Sequence, residues 1–247
     1  AKKAVAAILL PIVDVKRRRY KEDSRGRPID VRATIRASLR SGANIIPLRR
    51  RSRVRRHPPL VVLGDISGSM SRYSRMFLHF MHAVTNDRDR VATFVFGTRL
   101  TNVTRYLRQK DVDVALNDVS ESVHDWSGGT RISESMREFN LNWSRRVLGQ
   151  GAMVLLITDG LDREGTKNLG FEMERLHKSC RRMLWLNPLL RYEQYEAKAA
   201  GARQILPHVD EFRSIHNLES IADLATSLSR DWPRTEGATA TTWGAVA

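Results

Sequence analysis

The fold is decided by the stretch Leu60-Val61-Val62-Leu63-Gly64-Asp65-Ile66-Ser67-Gly68-Ser69. Its four leading apolar residues predict a strand that is covered on both faces, as strands inside a parallel sheet usually are. The run ends in an Asp-x-Ser-x-Ser sequence, where Gly and Ser mark the change from strand to loop. The stretch therefore predicts an α/β domain with oxygen-bearing side chains directly after its first buried strand.

The rest of the chain repeats this alternation. Further apolar runs of strand length occupy residues 91–96, 152–157 and 183–186. Segments with helical spacing are found at residues 70–85, 130–147, 166–182 and 218–228. Strands that alternate with helices are typical of βαβ units. We therefore expect an α/β fold with a Rossmann-like, mainly parallel central sheet and helices on both faces.

The positive charge of the chain is concentrated at its N-terminal end. Residues 1–59 contain 18 Lys and Arg against 4 Asp and Glu, a net charge of +14, whereas residues 60–247 contain 24 against 23, a net charge of +1. Within the basic part, two arginine clusters at residues 16–19 and 49–56 flank a predicted basic helix at residues 29–39.

A domain boundary is predicted at His57-Pro58-Pro59, because proline ends a helix and pushes the preceding residue towards extended backbone. The tail after residue 230 is rich in Thr, Ala and Gly, has little to bury, and is predicted to be disordered. We therefore expect three parts: an Arg-rich N-terminal extension at residues 1–59, the α/β domain at residues 60–230, and a tail at residues 231–247.

Cysteine content and hydropathy bear on location. Cys180 is the single cysteine, so an internal disulfide is impossible and an oxidising compartment is not required. The apolar run at residues 4–13 is about half of the roughly 20 residues that a membrane helix needs. We expect a cytoplasmic protein that does not cross a membrane.

Oxygen donors lie where the predicted strands end. Asp65, Ser67 and Ser69 follow the first strand, Asp159 follows the strand at residues 152–157, and Thr130 closes a Gly-Gly-Thr loop. In open parallel sheets ligands bind beyond the carboxyl ends of the strands. Hard cations such as Mg²⁺ take about six oxygen ligands. Each residue taken alone also suits a helix cap or a turn, but together they predict a metal site.

This pattern resembles the metal-ion-dependent adhesion site (MIDAS) of von Willebrand factor A (VWA) domains. The resemblance covers residues 16–228 and extends to the bacterial CoxE-like branch. It is carried by four further segments: Ser69-Met70-Ser71-Arg72-Tyr73-Ser74-Arg75, Val95-Phe96-Gly97-Thr98-Arg99-Leu100, Asp125-Trp126-Ser127-Gly128-Gly129-Thr130-Arg131-Ile132 and Leu184-Trp185-Leu186-Asn187-Pro188-Leu189.

The resemblance implies a role for each site residue. Ser67, Ser69 and Thr130 would bind the metal directly, and Asp65 and Asp159 would act largely through water. The metal would be Mg²⁺, or Mn²⁺ or Ca²⁺, and one coordination position would accept a Glu or Asp of a protein partner. The branch further implies a non-enzymatic assembly factor that acts with a MoxR-type AAA+ ATPase on a metalloenzyme client such as carbon monoxide dehydrogenase.

Residues next to the metal loops are candidates for contact with that partner. The sequence predicts a rim of aromatic, basic and glycine residues, which comprises Tyr73, Arg75, Trp126, Gly128, Gly129 and Arg131.

Two other functions remain open at this stage. A Mg²⁺-dependent phosphohydrolase would use Asp65 as its nucleophile, although such sites usually carry a second carboxylate where this chain has Ser67. Alternatively, the basic N-terminal extension would bind nucleic acid or an anionic surface. Tyr20 is the single aromatic residue among its arginines, so nucleic acid is the less favoured partner and an acidic protein is preferred. The chain has no G-x-x-x-x-G-K sequence, so any ATPase is a partner.

Overall fold

The computed structural model describes residues 14–40, 42, 46–123, 126, 129–162, 168–191 and 199–215. These residues form two compact units, of which the first comprises residues 14–57 and the second begins at Pro58. The predicted helix at residues 218–228 and the predicted tail at residues 231–247 lie outside the described residues.

The first unit contains a two-stranded antiparallel sheet and one helix. Strand β1 (Val15–Glu22) pairs with β2 (Arg51–Arg56), and helix α1 (Val31–Arg40) lies between them in the chain. Asp30 caps the N-terminus of α1, because its Oδ1 accepts a hydrogen bond of 3.0 Å from the backbone N–H of Ala33. The basic helix predicted at residues 29–39 is thus present, while both arginine clusters contribute to strands that the charge pattern had not indicated.

The second unit has a six-stranded sheet in the order β5-β4-β3-β6-β7-β8. Only the β4–β5 pair is antiparallel, and the other pairs within this sheet are parallel. Its strands are β3 (Leu60–Asp65), β4 (Val91–Phe96), β5 (Leu100–Asn102), β6 (Met153–Ile157), β7 (Arg182–Asn187) and β8 (Glu211–Ser214).

Helices connect these strands. They are α2 (Ser71–Asp87), α3 (Thr104–Leu107), α4 (Val112–Ser122), α5 (Ile132–Asn142), α6 (Ser144–Val147), α7 (Leu169–Ser179) and α8 (Ala200–Ile205), with single 3-10 turns at Gly68–Met70, Pro188–Arg191 and Leu206–His208. Across the described part of the chain, none of the helices is both long and apolar enough to cross a membrane.

The sheet is buried on both faces, as the continuous apolar runs predicted. Along β3, Leu60 and Val62 pack into one hydrophobic cluster, whereas Val61 and Leu63 pack into the other. Helices α2 and α4 cover the first face, and α5 and α7 cover the second. This is the α/β architecture expected from the sequence, and it places the carboxyl ends of β3, β4, β6 and β7 along one edge.

Candidate metal centre

Asp65 is the last residue of the central strand of this edge. In the parallel register Asp65 lies beside Phe96 of β4, and Gly64 lies beside Ile157 of β6. The backbone N–H of Ile66 continues this pairing with a hydrogen bond of 3.0 Å to the carbonyl of Phe96. The carboxyl group is therefore placed by a strand that is held on both sides.

The Asp65 carboxyl group is 2% exposed and accepts a hydrogen bond at each oxygen. Its Oδ1 accepts from the backbone N–H of Ser67 at 2.8 Å, and its Oδ2 accepts from the hydroxyl of Thr158 at 2.7 Å. The pKa of Asp65 is raised to about 6, chiefly by burial. The hydrogen bonds from Ser67 and Thr158 lower this pKa, whereas the charge of Asp159 raises it. Removing that carboxyl group from water is thus the largest influence on its protonation.

The two serines lie in the tight turn that follows Asp65. The hydroxyl groups of Ser67 and Ser69 are 3.2 Å apart, which is hydrogen-bond distance and also the spacing of two neighbouring ligands of one ion. Ser67 is buried and Ser69 is exposed at the surface of the edge. The turn leads through Gly68–Met70 directly into α2.

The loop after β6 supplies the second carboxylate. Asp159 is 1% exposed, and its Oδ1 accepts a hydrogen bond of 3.0 Å from the backbone N–H of Leu161. The loop is held in place by donors from β7: the indole of Trp185 donates to the carbonyl of Thr158 at 2.9 Å, and the amide of Asn187 donates to the carbonyl of Asp159 at 3.3 Å. Side chains of the neighbouring strand therefore fix the backbone that carries Asp159.

Thr158 is a functional residue that sequence reasoning missed. Its hydroxyl donates to Asp65 and accepts from the backbone N–H of Gly160 at 3.1 Å, so it joins the loops that carry the two carboxylates. The signal was present in the sequence, since Thr158 directly follows an apolar run, but a threonine beside an aspartate also fits an ordinary turn.

Gly160 is required by the backbone of this loop. Its φ is +78°, and an added Cβ would lie 3.0 Å from the Trp185 ring and 3.3 Å from Ala202. Gly201 in α8 is also close, because its added Cβ would lie 2.4 Å from the Gly160 carbonyl oxygen. Both glycines permit α8 to approach the loop that carries Asp159.

Thr130 approaches the same edge from the third loop. It is 3% exposed, and the next residue, Arg131, donates its backbone N–H to the carbonyl of Gly97 at 2.9 Å. Gly97 directly follows β4, the strand beside β3, so this bond places Thr130 next to the end of the strand pair that carries Asp65. All five predicted metal ligands thus occupy the carboxyl edge of adjacent strands.

The side chains present fit a hard divalent cation. Two carboxylates are buried at the same edge, and the charge of one raises the pKa of the other. Within the described ranges Asp65 forms no ion pair with Lys or Arg. A cation between the loops would balance this buried negative charge, and the hydroxyl and carboxylate oxygens are the ligands that Mg²⁺ and Mn²⁺ prefer. Among the described residues, no group of three or more His, Cys, Asp or Glu is placed to hold a metal ion.

The residues of the predicted rim differ in their exposure, and their contact with a partner stays a prediction. Arg75 is exposed on the first turns of α2, and Arg131 is partly exposed with its guanidinium 3.5 Å from Glu134. Trp126 is half-buried against the hydrophobic core, and its indole donates to the carbonyl of Ser120 at 3.3 Å. Tyr73 is 8% exposed and packs in that core, with its ring centroid 6.2 Å from that of Phe77. It therefore anchors α2 in the core.

The two remaining residues of the predicted rim are the glycines before Thr130. Gly129 is partly exposed beside Thr130, whereas Gly128 lies outside the described residues. Two further arginines that the sequence had not singled out are exposed close to the same edge: Arg72 in the first turn of α2 and Arg99 in the turn after β4. Basic side chains thus extend from three of the loops that surround the carboxylates.

The fold and these loops define a VWA domain. The chain belongs to the family described as VWA domain containing CoxE-like protein, whose family model matches residues 1–221. A comparison with curated proteins found no match.

Solved structures share the fold. The chain is similar to a von Willebrand factor type A protein from Catenulispora acidiphila, with 16% identity and a TM-score of 0.50 over 72% of this chain and 43% of that one. It is also similar to proximal thread matrix protein 1 from the mussel byssus with a zinc-occupied MIDAS motif, with 12% identity and a TM-score of 0.48 over 70% of this chain and 47% of that one. The chain thus spans less than half the length of each of these solved chains.

Proposed function

We propose that the carboxyl edge of the sheet is a MIDAS that captures a carboxylate of a protein partner through a divalent cation, Mg²⁺ or Mn²⁺. Ser67, Ser69 and Thr130 hold the ion directly, and Asp65 and Asp159 act largely through water. The cation supplies a Lewis acid with a free coordination position for a Glu or Asp side chain. The observation that supports the proposal is a pair of buried carboxylates, Asp65 and Asp159, which follow the neighbouring strands β3 and β6, with the hydroxyl groups of Ser67 and Ser69 3.2 Å apart in the turn after Asp65.

The surroundings of the site favour an acidic partner. Arg72, Arg75, Arg99 and Arg131 are exposed or partly exposed near this edge, and a positive potential there attracts carboxylates during encounter. The arginines lie next to the proposed ligands and contribute none of them. Charge attraction and metal coordination therefore act at the same face of the domain but through different residues.

A binding role is also favoured over the phosphohydrolase alternative. Both oxygens of Asp65 accept hydrogen bonds, and the residue is 2% exposed, so a substrate phosphorus has little access to this carboxylate. Ser67 stands where aspartate-based phosphohydrolases usually carry a second carboxylate. We infer a non-enzymatic interaction module.

We also propose a more specific role, which is based on the resemblance to the CoxE-like family. In it, the module is a cytoplasmic assembly factor that docks a MoxR-type AAA+ ATPase or a metalloenzyme client such as carbon monoxide dehydrogenase.

The test is a pull-down from extract of the native cells, performed with Mg²⁺ and again with EDTA. The wild-type chain is expected to retain a protein with Mg²⁺ and to release it with EDTA, and Asp65→Ala is expected to retain none. Asp89→Ala is the matched control, since Asp89 is an exposed loop aspartate away from the site. Equal capture by wild type and Asp65→Ala, or equal capture with EDTA, would contradict the proposal.

The rim is tested with the same captured protein. Arg75→Ala and Arg131→Ala are expected to weaken capture while the metal still binds, because neither side chain is a proposed ligand. Arg145→Ala on α6 is the control for loss of one exposed charge. Loss of metal binding in the rim variants would show that these arginines act on the site itself.

A further inference from the structure

The described residues of the unit at 14–57 form no apolar core of their own. In its described residues no apolar side chain is buried, and the one buried side chain is that of Thr34. The large aliphatic residues of the unit are exposed instead: Ile29, Val31, Ile35, Leu39, Ile46 and Leu48. Small units with so little buried surface generally need a further source of stability, such as a bound partner.

Helix α1 shows how this exposure arises. Its inward side consists of small residues, and Thr34 anchors it by accepting a hydrogen bond of 2.9 Å at its hydroxyl from the backbone N–H of Arg49. Val31, Ile35 and Leu39 are spaced four residues apart and share one outward face, where they are 63%, 55% and 70% exposed. The helix therefore presents its largest apolar side chains to the exterior and its smallest to the unit.

A basic row lies beside this apolar row. Arg32, Arg36 and Arg40 each follow one of the aliphatic residues, so they form a parallel row about 100° around the helix. All three are exposed, and none forms an ion pair with a described residue. Residues 14–57 together contain 16 Lys and Arg against 4 Asp and Glu, a net charge of +12.

We propose that these two rows of α1 form a docking surface for an acidic partner protein. The partner provides an apolar groove for Val31, Ile35 and Leu39 and carboxylates for the guanidinium groups of Arg32, Arg36 and Arg40. This surface contains none of the proposed metal ligands and does not depend on a cation. It belongs to the helix-in-groove mode of recognition, in which apolar side chains one turn apart insert between charged borders.

Charge and composition decide between the possible occupants. A second copy of the chain would bring two units of charge +12 together, which disfavours self-association through this face. An aliphatic row does not recognise nucleic acid, and Tyr20, the one aromatic residue of the unit, already has the guanidinium of Arg51 at 4.6 Å from its ring centroid. An interfacial membrane helix usually carries Trp, Phe or several Leu on its apolar face, whereas α1 has no aromatic residue and one Leu among its three aliphatic anchors.

The experiment measures binding of the full chain to a fluorescein-labelled synthetic helix in EDTA, so that the metal centre takes no part. The probe has Leu four residues apart and Glu at the remaining exposed positions, and its matched control has each Leu replaced by Ser. The Leu peptide is expected to bind more tightly than the Ser peptide. The double variant Ile35→Ser/Leu39→Ser is expected to weaken Leu-peptide binding by on the order of tenfold, because it removes two aliphatic contacts.

The controls distinguish binding at this surface from non-specific hydrophobic or electrostatic binding. Leu141→Ser/Phe171→Ser removes two exposed apolar side chains from the second unit and should leave binding unchanged. Arg32→Gln/Arg36→Gln should weaken binding and reduce its dependence on salt. Circular dichroism and melting of all variants verify that they fold, which is expected because every substituted side chain is exposed.

Four outcomes would overturn the proposal. The first is equal binding of the Leu and Ser peptides. The second is equal loss of binding in the two apolar double variants. The third is retention on phosphatidylcholine–phosphatidylserine vesicles that requires Ile35 and Leu39, which would assign the face to a membrane. The fourth is a dimer in light scattering that Ile35→Ser/Leu39→Ser dissociates, which would assign the face to a second copy.

Discussion

The hydroxyl of Thr158 donates a hydrogen bond of 2.7 Å to Oδ2 of Asp65, although 93 positions separate the two residues in the chain. The bond joins the ends of two neighbouring parallel strands. It also orients a carboxyl group whose two oxygens both accept hydrogen bonds. The proposed metal centre is thus held by a side chain that is not itself a proposed ligand, and groups that orient ligands affect metal affinity strongly.

Replacement of Thr158 by valine tests this relationship. Thr158→Val keeps the shape but removes the donor to Asp65 and the acceptor for the Gly160 N–H, so we expect metal affinity to fall by about 10-fold or more. Unfolding free energy is expected to fall by about 1–3 kcal/mol, because a buried backbone donor loses its partner. Titration calorimetry with Mn²⁺ and thermal melting measure the two effects. Thr158→Ser should restore most of the affinity, and an unaltered affinity in Thr158→Val would rule out an orienting role.

Neutralising Asp65 is expected to separate stability from metal binding. With Mg²⁺ far above its Kd, the wild-type melting temperature should rise by roughly 5–10 °C, which corresponds to about 2.7 kcal/mol at a hundredfold excess. Asp65→Asn should abolish this rise. Its metal-free form should melt no lower than the metal-free wild type, since burying a neutral amide costs less than burying a charge. Asp89→Asn should behave like wild type, and a metal-dependent rise that survives in Asp65→Asn would remove Asp65 from the site.

The pH dependence follows from the raised pKa of Asp65, about 6 against an ordinary value of 3.8. Between these values the folded metal-free protein binds more protons than the unfolded chain, so its stability falls as the pH rises, by about 3 kcal/mol at most. The cation needs the ionised carboxylate, so the stabilisation by Mg²⁺ should grow from pH 5 to pH 7. Melting with and without Mg²⁺ across this range measures both trends. A Mg²⁺ effect that is equal at pH 5 and pH 7 would show that protonation of Asp65 does not compete with the metal.

Substitution of Gly160 is expected to disturb the second carboxylate loop. Gly160→Ala combines a φ of +78° with a Cβ 3.0 Å from the Trp185 ring, so we expect a loss of about 1–3 kcal/mol in unfolding free energy and weaker metal binding. Gly149→Ala is the matched control, because its added Cβ would meet nothing within 4 Å. Chemical denaturation of both variants compares them, and equal stability would mean that the loop adapts without strain.

The buried centre of the fold could be predicted from sequence because each of its strands is a continuous apolar run. Strands β4, β6 and β7 begin and end within one residue of the predicted runs, and β3 continues two residues beyond its run, to Asp65. The edge strands β5 and β8 were missed, since Leu100-Thr101-Asn102 and Glu211-Phe212-Arg213-Ser214 are short and largely polar. The exposed arginine-rich strands β1 and β2 were missed for a similar reason, because they bury no apolar face that alternation could reveal.

The positions of the candidate site residues near strand ends could be predicted from the sequence, while their roles as metal ligands stay a prediction. Its five proposed ligands directly follow strands or a Gly-Gly pair, and local sequence shows this. The hydrogen bond from Thr158 to Asp65 and the burial of Tyr73 depend on contacts between distant segments, which local sequence does not show. Tyr73 in particular lies two residues from exposed Arg75, on nearly the opposite side of the helix, and the sequence alone does not tell which of them faces the core.

The paired register of β3 with β4 and β6 has a consequence for engineering. Side chains alternate between the faces of a strand, and each residue advances it by about 3.3 Å. Deleting one residue between Leu60 and Asp65 would therefore turn the aspartate towards the opposite layer of helices and withdraw it from its neighbours. The lengths of the connecting loops can be varied without that penalty, so attempts to alter partner choice should lengthen or graft loops and leave the strand untouched.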